Sequence, residues 1–71
     1  MPIYQIGVSN RFVRQKIENG ETLTAEESVW EDTNYFDIEA REEEHAKRII
    51  KASHKESHGF VIDCIDEYRY L

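Results

Sequence analysis

Three segments of the chain alternate between apolar and polar residues, which is the pattern of a half-buried β-strand. These segments span residues 3–8, 35–40 and 60–66. The side chains expected to face the core are Tyr4, Ile6 and Val8 in the first segment, Phe36, Ile38 and Ala40 in the second, and Phe60, Ile62 and Cys64 in the third. The alternation therefore predicts three strands, each with one face against the core.

A helical period replaces the alternation over residues 41–57. Small and apolar residues recur there at the spacing of one helical face, and they are Ala46, Ile49, Ile50 and Ser53. Acidic residues occupy the first turn and basic residues the later turns, an order that complements the helix dipole. Gly59 can adopt the left-handed conformation that ends many helices. The pattern predicts one long helix between the second and third strands.

Residues 10–19 leave two interpretations open. They form either a short helix ended by the glycine that follows, or a strand that returns in a hairpin against residues 3–8. The hairpin is favoured, because another antiparallel neighbour would complete a small sheet. Further along, Thr24 and Glu27 have the spacing of a capping box, which predicts a helical turn that runs to Trp30.

These elements combine into one domain over residues 1–71 with an α+β fold. Strand, helix and strand in one sheet imply a right-handed crossover, with parallel pairing of residues 35–40 and 60–66. We therefore expect a small three- to four-stranded sheet with one long helix packed on one face, in a ββαβ-like order. The last residues, 68–71, either extend the final strand onto the sheet or form an exposed aromatic patch.

Negative charge is concentrated in one part of the sequence. Residues 18–44 hold eleven acidic residues and one base, Arg41, a net charge of −10 in a chain whose formal total is −6. Such a segment repels nucleic acid and attracts basic protein surfaces. A chain of 71 residues buries only about 60% of its unfolded surface, which leaves little core for an enzyme cleft. The composition favours a non-enzymatic protein that binds a basic partner and makes no direct contact with nucleic acid.

The residues expected to bind the partner lie within this acidic segment. They combine carboxylates, which pair with Lys and Arg, with two aromatic side chains that act as apolar anchors. They are Glu26, Glu27, Trp30, Glu31, Asp32, Tyr35, Asp37 and Glu39. An alternative stays open for Trp30, in which Val29 and Trp30 fold back and cover the edge of the core.

Two sets of side chains have the chemistry of a metal or catalytic site. His54 and His58 are spaced by one helical turn, with Cys64 or Asp63 as a further metal ligand. The polar helix end around the histidines favours a solvated surface instead. One sheet face would also carry the carboxylates Asp37, Glu39 and Asp63, whose simpler interpretation is the water-facing side of the sheet. We expect no catalytic residue, no metal and no cofactor, and Cys64 is expected to be a small core hydrophobe.

An N-terminal strand, the segment 35–40, an acidic-start helix that contains Ala46 and a final strand at 60–65 follow one another along the chain. In size, charge and this order of elements, the chain resembles the small acidic anti-CRISPR proteins of bacteriophages and other mobile elements. The resemblance implies an inhibitor that binds a basic nucleic-acid-handling complex of the bacterial host, of the CRISPR surveillance type, and blocks its nucleic-acid site. Because that class is diverse in sequence, the role of no residue is carried over from it.

Two other functions stay open. One is a small structural or regulatory homodimer joined through a sheet edge. The other is a metal-dependent enzyme that uses His54, His58 and carboxylates. The first residues lack the pattern of a signal peptide, and no stretch has the roughly 18 apolar residues of a membrane span. The sequence therefore predicts a protein of the host cytoplasm with no membrane partner.

Overall fold

A three-stranded antiparallel sheet organises the chain, and the computed structural model describes residues 2–68 of it. In chain order the elements are β1 (Ile3–Asn10), α1 (Arg11–Glu18), α2 (Ala25–Ser28), β2 (Asn34–Glu39), α3 (Glu43–Ser53), one turn of 3₁₀ helix (Glu56–His58) and β3 (Phe60–Tyr68). The α+β class is as expected. The predictions for the tail concern residues that lie mostly outside the described part. Among the described residues, no helix has the length and apolar character to cross a membrane.

The first strand, β1, lies in the middle of the sheet. Its neighbours are β2 on one side and β3 on the other, and both pairs are antiparallel. The predicted parallel pairing of residues 35–40 with 60–66 is therefore wrong, since β1 separates the two strands. They run in the same direction only because each is antiparallel to β1. A fourth strand is absent from residues 2–68.

One face of the sheet, here called the inner face, packs against α3. Tyr4, Ile6 and Val8 of β1 are buried there, as predicted from the alternation. Ala40, which follows β2, and Ala46 and Ile50 of α3 complete the buried cluster. The partly buried side chains packed around it are Trp30, Phe36, Ile38, Phe60, Ile62 and Ile65. The core is thus a single layer between the sheet and one helix.

Residues 11–18 form the helix α1, so the favoured hairpin is wrong. Both edges of β1 are already paired with β2 and β3, which leaves no edge for a hairpin partner. Asn10 starts the helix, because its Oδ1 accepts hydrogen bonds from the N–H groups of Phe12 at 3.0 Å and Val13 at 3.3 Å. Its Nδ2 donates to the carbonyl oxygen of His58 at 3.1 Å. One asparagine therefore joins the end of β1, the start of α1 and the turn before β3.

The helix α3 is shorter than the predicted 41–57. It ends at Ser53, where His54 leaves the helical conformation and its ring packs against other aromatic rings. The fold therefore has two longer helices, α1 and α3, rather than one long helix. Gly59 does take a left-handed conformation, with φ at 93°, but it follows the 3₁₀ turn instead of ending α3. The capping box of Thr24 and Glu27 is confirmed at the start of α2.

An irregularity in β3 reverses the faces of its second half. Ile62 lies opposite Val8 and Cys64 lies opposite Gly7, so Asp63 is an extra residue at a β-bulge. After the bulge, Ile65 faces the core opposite Ile6. Cys64 lies on the other face and is exposed. The predictions that Cys64 faces the core and is a core hydrophobe are therefore wrong.

Candidate protein-binding surface

The face of the sheet opposite α3, here called the open face, carries acidic residues from both outer strands. Asp37 of β2 and Asp66 of β3 both lie opposite Gln5 of β1, so the three form a straight row across the sheet. In the next row, Glu39 lies opposite Ile3. Because residues directly opposite in a sheet project from the same face, the open face presents carboxylates on either side of β1.

An exposed tyrosine adjoins this acidic row. Gly7 lies between Tyr35 and Cys64, and a Cβ atom built on Gly7 would be 2.7 Å from the Cys64 Sγ and 3.1 Å from the Tyr35 Cε1. The two side chains therefore lie over the bare backbone of Gly7. Even so, Tyr35 remains 59% exposed. The open face thus places an aromatic ring and a thiol beside the row of carboxylates.

Asp63 bounds the open face at the opposite end and is held by three donors. Its carboxylate accepts hydrogen bonds from the Ser9 hydroxyl at 3.0 Å and the Thr33 hydroxyl at 2.8 Å. The Arg14 guanidinium of α1 forms an ion pair with it at 3.2 Å. These contacts join α1, β1, the segment before β2 and the bulge of β3. Asp63 is therefore a structural residue, and β1 separates it from Asp37 and Glu39, with which it was expected to cluster.

Further carboxylates gather at the same end of the sheet as the acidic row. The Tyr4 hydroxyl donates to Glu67 at 3.5 Å, and Glu67 lies opposite Tyr4 in the register. Burial raises the pKa of Tyr4 above its ordinary value, and the charges of Glu67, Glu43 and Glu42 raise it further. We call this region the acidic end, and it comprises Asp37, Glu39, Glu42, Glu43, Asp66 and Glu67. It draws its charge from β2, the start of α3 and β3.

Glu27, one of the expected partner-binding residues, makes two contacts within the fold. Its carboxylate accepts from the Lys16 ammonium and from the Thr24 backbone N–H at 2.9 Å. The hydrogen bond from Lys16, and then the bond from Thr24, lower the pKa of Glu27 below its ordinary value. The contact also links α1 to α2. This carboxylate already has two partners within the chain.

Trp30 packs on the inner side of the sheet, which agrees with the alternative that it covers the core. Its ring centroid lies 4.8 Å from that of Phe60, 5.5 Å from that of His54 and 6.3 Å from that of Phe36. Val29, by contrast, is exposed. Phe36 lies opposite Ile6 on the inner face. Because Trp30 contacts Phe36, Trp30 lies on the opposite side of the sheet from the acidic row.

The eight expected partner-binding residues consequently fall into two groups. Tyr35, Asp37 and Glu39 lie together on the open face, in β2. The remaining five lie in α2 and the segment that follows it, and they are Glu26, Glu27, Trp30, Glu31 and Asp32. Among these five, Glu26, Glu31 and Asp32 are exposed. The fold therefore does not join all eight into one continuous surface.

The residues considered for metal binding are likewise separated. His54 belongs to the aromatic cluster on the inner side, His58 lies in the 3₁₀ turn, and Cys64 lies on the open face. Within residues 2–68, no group of three or more His, Cys, Asp and Glu side chains could hold a metal ion. The histidine-based site considered from the sequence is not assembled in this arrangement.

Sequence reasoning missed Gln5, Cys64 and Asp66 as members of this surface. Their alignment depends on the order of the strands and on the bulge, neither of which local periodicity fixes. One signal was present in β3, where Phe60, Ile62 and Ile65 are apolar and the spacing changes from two to three residues. That change is the pattern that an inserted bulge residue leaves in a sequence.

The chain matches no protein-family model, no curated protein and no solved structure.

Proposed function

We propose that the protein is a non-enzymatic binding module that docks on a basic surface of a partner protein through the open face and the acidic end. The observation that carries this proposal is the row in which Asp37 and Asp66 flank Gln5, beside the exposed ring of Tyr35. Carboxylates arranged on a rigid sheet pair with Lys and Arg side chains without further ordering of the backbone.

The two components of this surface have different roles in binding. The carboxylates steer a cationic partner and raise the rate of association, an effect that salt screens over about 8–10 Å. Exposed charge pairs contribute only about 0.2–1 kcal/mol each. An aromatic side chain buried at the centre of an interface can contribute about 2 kcal/mol or more. Tyr35 is therefore the proposed anchor, and the carboxylates provide orientation and selectivity.

The proposed partner is a protein that uses Lys and Arg to hold nucleic acid. Such a surface presents the cations that a row of carboxylates can satisfy in place of phosphates. In line with the resemblance to small acidic anti-CRISPR proteins, we propose a CRISPR surveillance complex as the target, with its nucleic-acid site blocked. The net charge of −6 supports contact with the protein rather than with the nucleic acid itself.

The test compares two double charge reversals that change the net charge equally. Asp37→Lys with Asp66→Lys alters the row, whereas Glu26→Lys with Glu31→Lys alters exposed acids of the α2 region. Proteins captured from bacterial lysates by the unmodified chain at low salt are identified, and the captured complex is then titrated with each variant. We expect the first pair to weaken binding by at least about tenfold, equivalent to 1.4 kcal/mol, and the second pair to have little effect.

Cys64 gives a direct readout of where the partner sits. It is the only cysteine of the chain, it is exposed and it lies on the open face. Alkylation of its thiol should slow when the partner is bound.

Equal loss of binding in both double variants, with unchanged circular dichroism, would show that total charge rather than this face drives association. An unchanged alkylation rate at saturation would also contradict the proposed orientation.

A further inference from the structure

A pocket lies on the inner side of the sheet, where α3 meets β3. Its volume is about 290 Å³. The apolar part of its lining combines Val8 of β1 and Ile50 of α3 with Phe60 and Ile62 of β3. Val8 and Ile50 are buried, while Phe60 and Ile62 are only partly buried although they pack against the core. Within the pocket, Phe60 and Ile62 at the edge of the core are therefore the more accessible apolar side chains.

Two lysines of α3 lie on the rim of this pocket. Lys47 and Lys51 lie at positions i and i+4 of α3, so the helix turns both towards the same side, and His54 lines the pocket just after the helix ends. Glu56 is the one acidic residue of the lining. The ammonium of Lys47 also contacts the Glu44 carboxylate at 3.4 Å. Two lysines thus lie beside the apolar lining, in a chain with a net charge of −6.

The wall of the pocket is held in place by ring packing. The rings of His54 and Phe60 meet edge to face, with centroids 5.2 Å apart, and both contact Trp30. Such contacts fix the positions of the two rings before any ligand arrives. Ligand binding therefore loses little conformational entropy of the side chains that line the pocket.

We propose that this pocket binds a small amphipathic carboxylate. Its apolar body lies on Ile50, Phe60 and Ile62, and its carboxylate accepts hydrogen bonds from the ammonium groups of Lys47 and Lys51. At about 30 Å³ for each atom-sized group, the pocket holds about ten non-hydrogen atoms, which matches a short aliphatic or single-ring aromatic acid. The site lies on the opposite side of the sheet from the open face, so it does not depend on the proposed protein-binding function.

The charge of Lys47 and Lys51 distinguishes carboxylates from neutral or cationic molecules of the same size. A neutral molecule of the same size gains the apolar contacts but leaves both ammonium groups without a new partner. A cationic amphiphile meets Lys47 and Lys51 with like charge. The order of affinity expected from the structure is therefore carboxylate, then alcohol, then ammonium, for one fixed apolar body.

The first experiment titrates the full chain with octanoate and follows its backbone amide resonances by NMR. We expect saturable shifts at Ile50, Phe60 and Ile62, with little change in Asp37 and Asp66 on the open face. Octan-1-ol should bind about tenfold more weakly, and octylammonium should give no saturation. Shifts that rise linearly and spread over the surface, or equal binding of the three compounds, would overturn the proposal.

Two charge-matched variants then test the role of the rim. Lys47→Gln with Lys51→Gln removes the two ammonium groups of the pocket, and Arg48→Gln with Lys55→Gln removes two cations outside its lining. With Trp30 fluorescence as a second readout, the first variant should lose about tenfold in affinity for octanoate and the second should stay within about twofold. Equal affinities in the two variants, with unchanged melting temperatures, would show that the lysines do not hold the carboxylate.

Discussion

Replacement of Gly59 by alanine tests how the start of α1 is held against the turn before β3. Gly59 has a φ of 93°, which side chains rarely adopt. A Cβ atom there would lie 2.6 Å from the Phe12 Cδ2 and 2.7 Å from the Asn10 Oδ1. The Asn10 oxygen is the acceptor that caps α1, so relief of this overlap displaces the cap as well as the Phe12 ring. One added methyl group thus perturbs three elements.

The expected loss of stability has two parts. A left-handed backbone costs a non-glycine residue about 1–2 kcal/mol, and overpacking adds about 1–3 kcal/mol. Gly59→Ala should therefore lose about 2–5 kcal/mol. At about 0.05–0.15 kcal/mol per residue, a chain of 71 residues has a total stability of about 4–11 kcal/mol. The variant should accordingly be largely unfolded under conditions that the unmodified chain tolerates.

Gly20→Ala is the matched control for this change. Gly20 also has a positive φ, 70°, but no atom lies within 4 Å of a Cβ built there. It should bear the backbone cost alone, about 1–2 kcal/mol. Urea unfolding followed by circular dichroism gives both free energies of unfolding. Equal losses in the two variants would refute the reasoning, because they would show that contact with Asn10 and Phe12 adds nothing.

Two further predictions concern the ion pairs of α1. Asp63→Ala should lower the free energy of unfolding by about 1–3 kcal/mol, because it leaves the buried hydroxyl of Ser9 without its acceptor. Arg14→Ala should lower it by less than about 1 kcal/mol, because the ion pair of Arg14 with Asp63 is exposed. Urea unfolding in which Arg14→Ala is the more damaging variant would contradict this account. Lys16 lowers the pKa of Glu27, so folding favours the ionised carboxylate, and this contribution is present above about pH 4.5 and lost as the pH falls below it. The difference in free energy of unfolding between Glu27→Gln and the unmodified chain should therefore become smaller as the pH is lowered. A difference that does not depend on pH would argue against the ion pair of Glu27 with Lys16.

Local patterns predicted the inner face of the sheet but not its assembly. The alternation of Tyr4, Ile6 and Val8 was sufficient because β1 is regular and lies against the core on one face. The same reasoning failed for Cys64, because one extra residue at the bulge exchanges the faces of all residues that follow it. Regular alternation does not reveal where such an extra residue lies. Only a change in the spacing of the apolar residues marks its position.

The order of the strands was beyond local reasoning for a different reason. Residues 10–19 contain both apolar and polar side chains that suit a helix or an edge strand, and the choice was made by competition for the edges of β1. Because β2 and β3 occupy both edges of β1, the chain after Asn10 cannot pair with β1, and the asparagine cap favours α1. The helix is therefore a consequence of pairings made much later in the sequence.

The acidic segment of the sequence differs from the acidic surface that the fold forms. Within residues 18–44, Glu27 is paired with Lys16 and Glu44 with Lys47, so part of the local charge is offset by cations from α1 and α3. The acidic end instead gains Asp66, which lies far outside that segment and meets Asp37 only through their shared partner in β1. Charge reversal at Asp66 should consequently affect binding more than reversal at Glu26, although the sequence alone ranks them in the opposite order. In the proposed function, the partner contacts the carboxylates that the sheet aligns, and the strands set the spacing of these carboxylates.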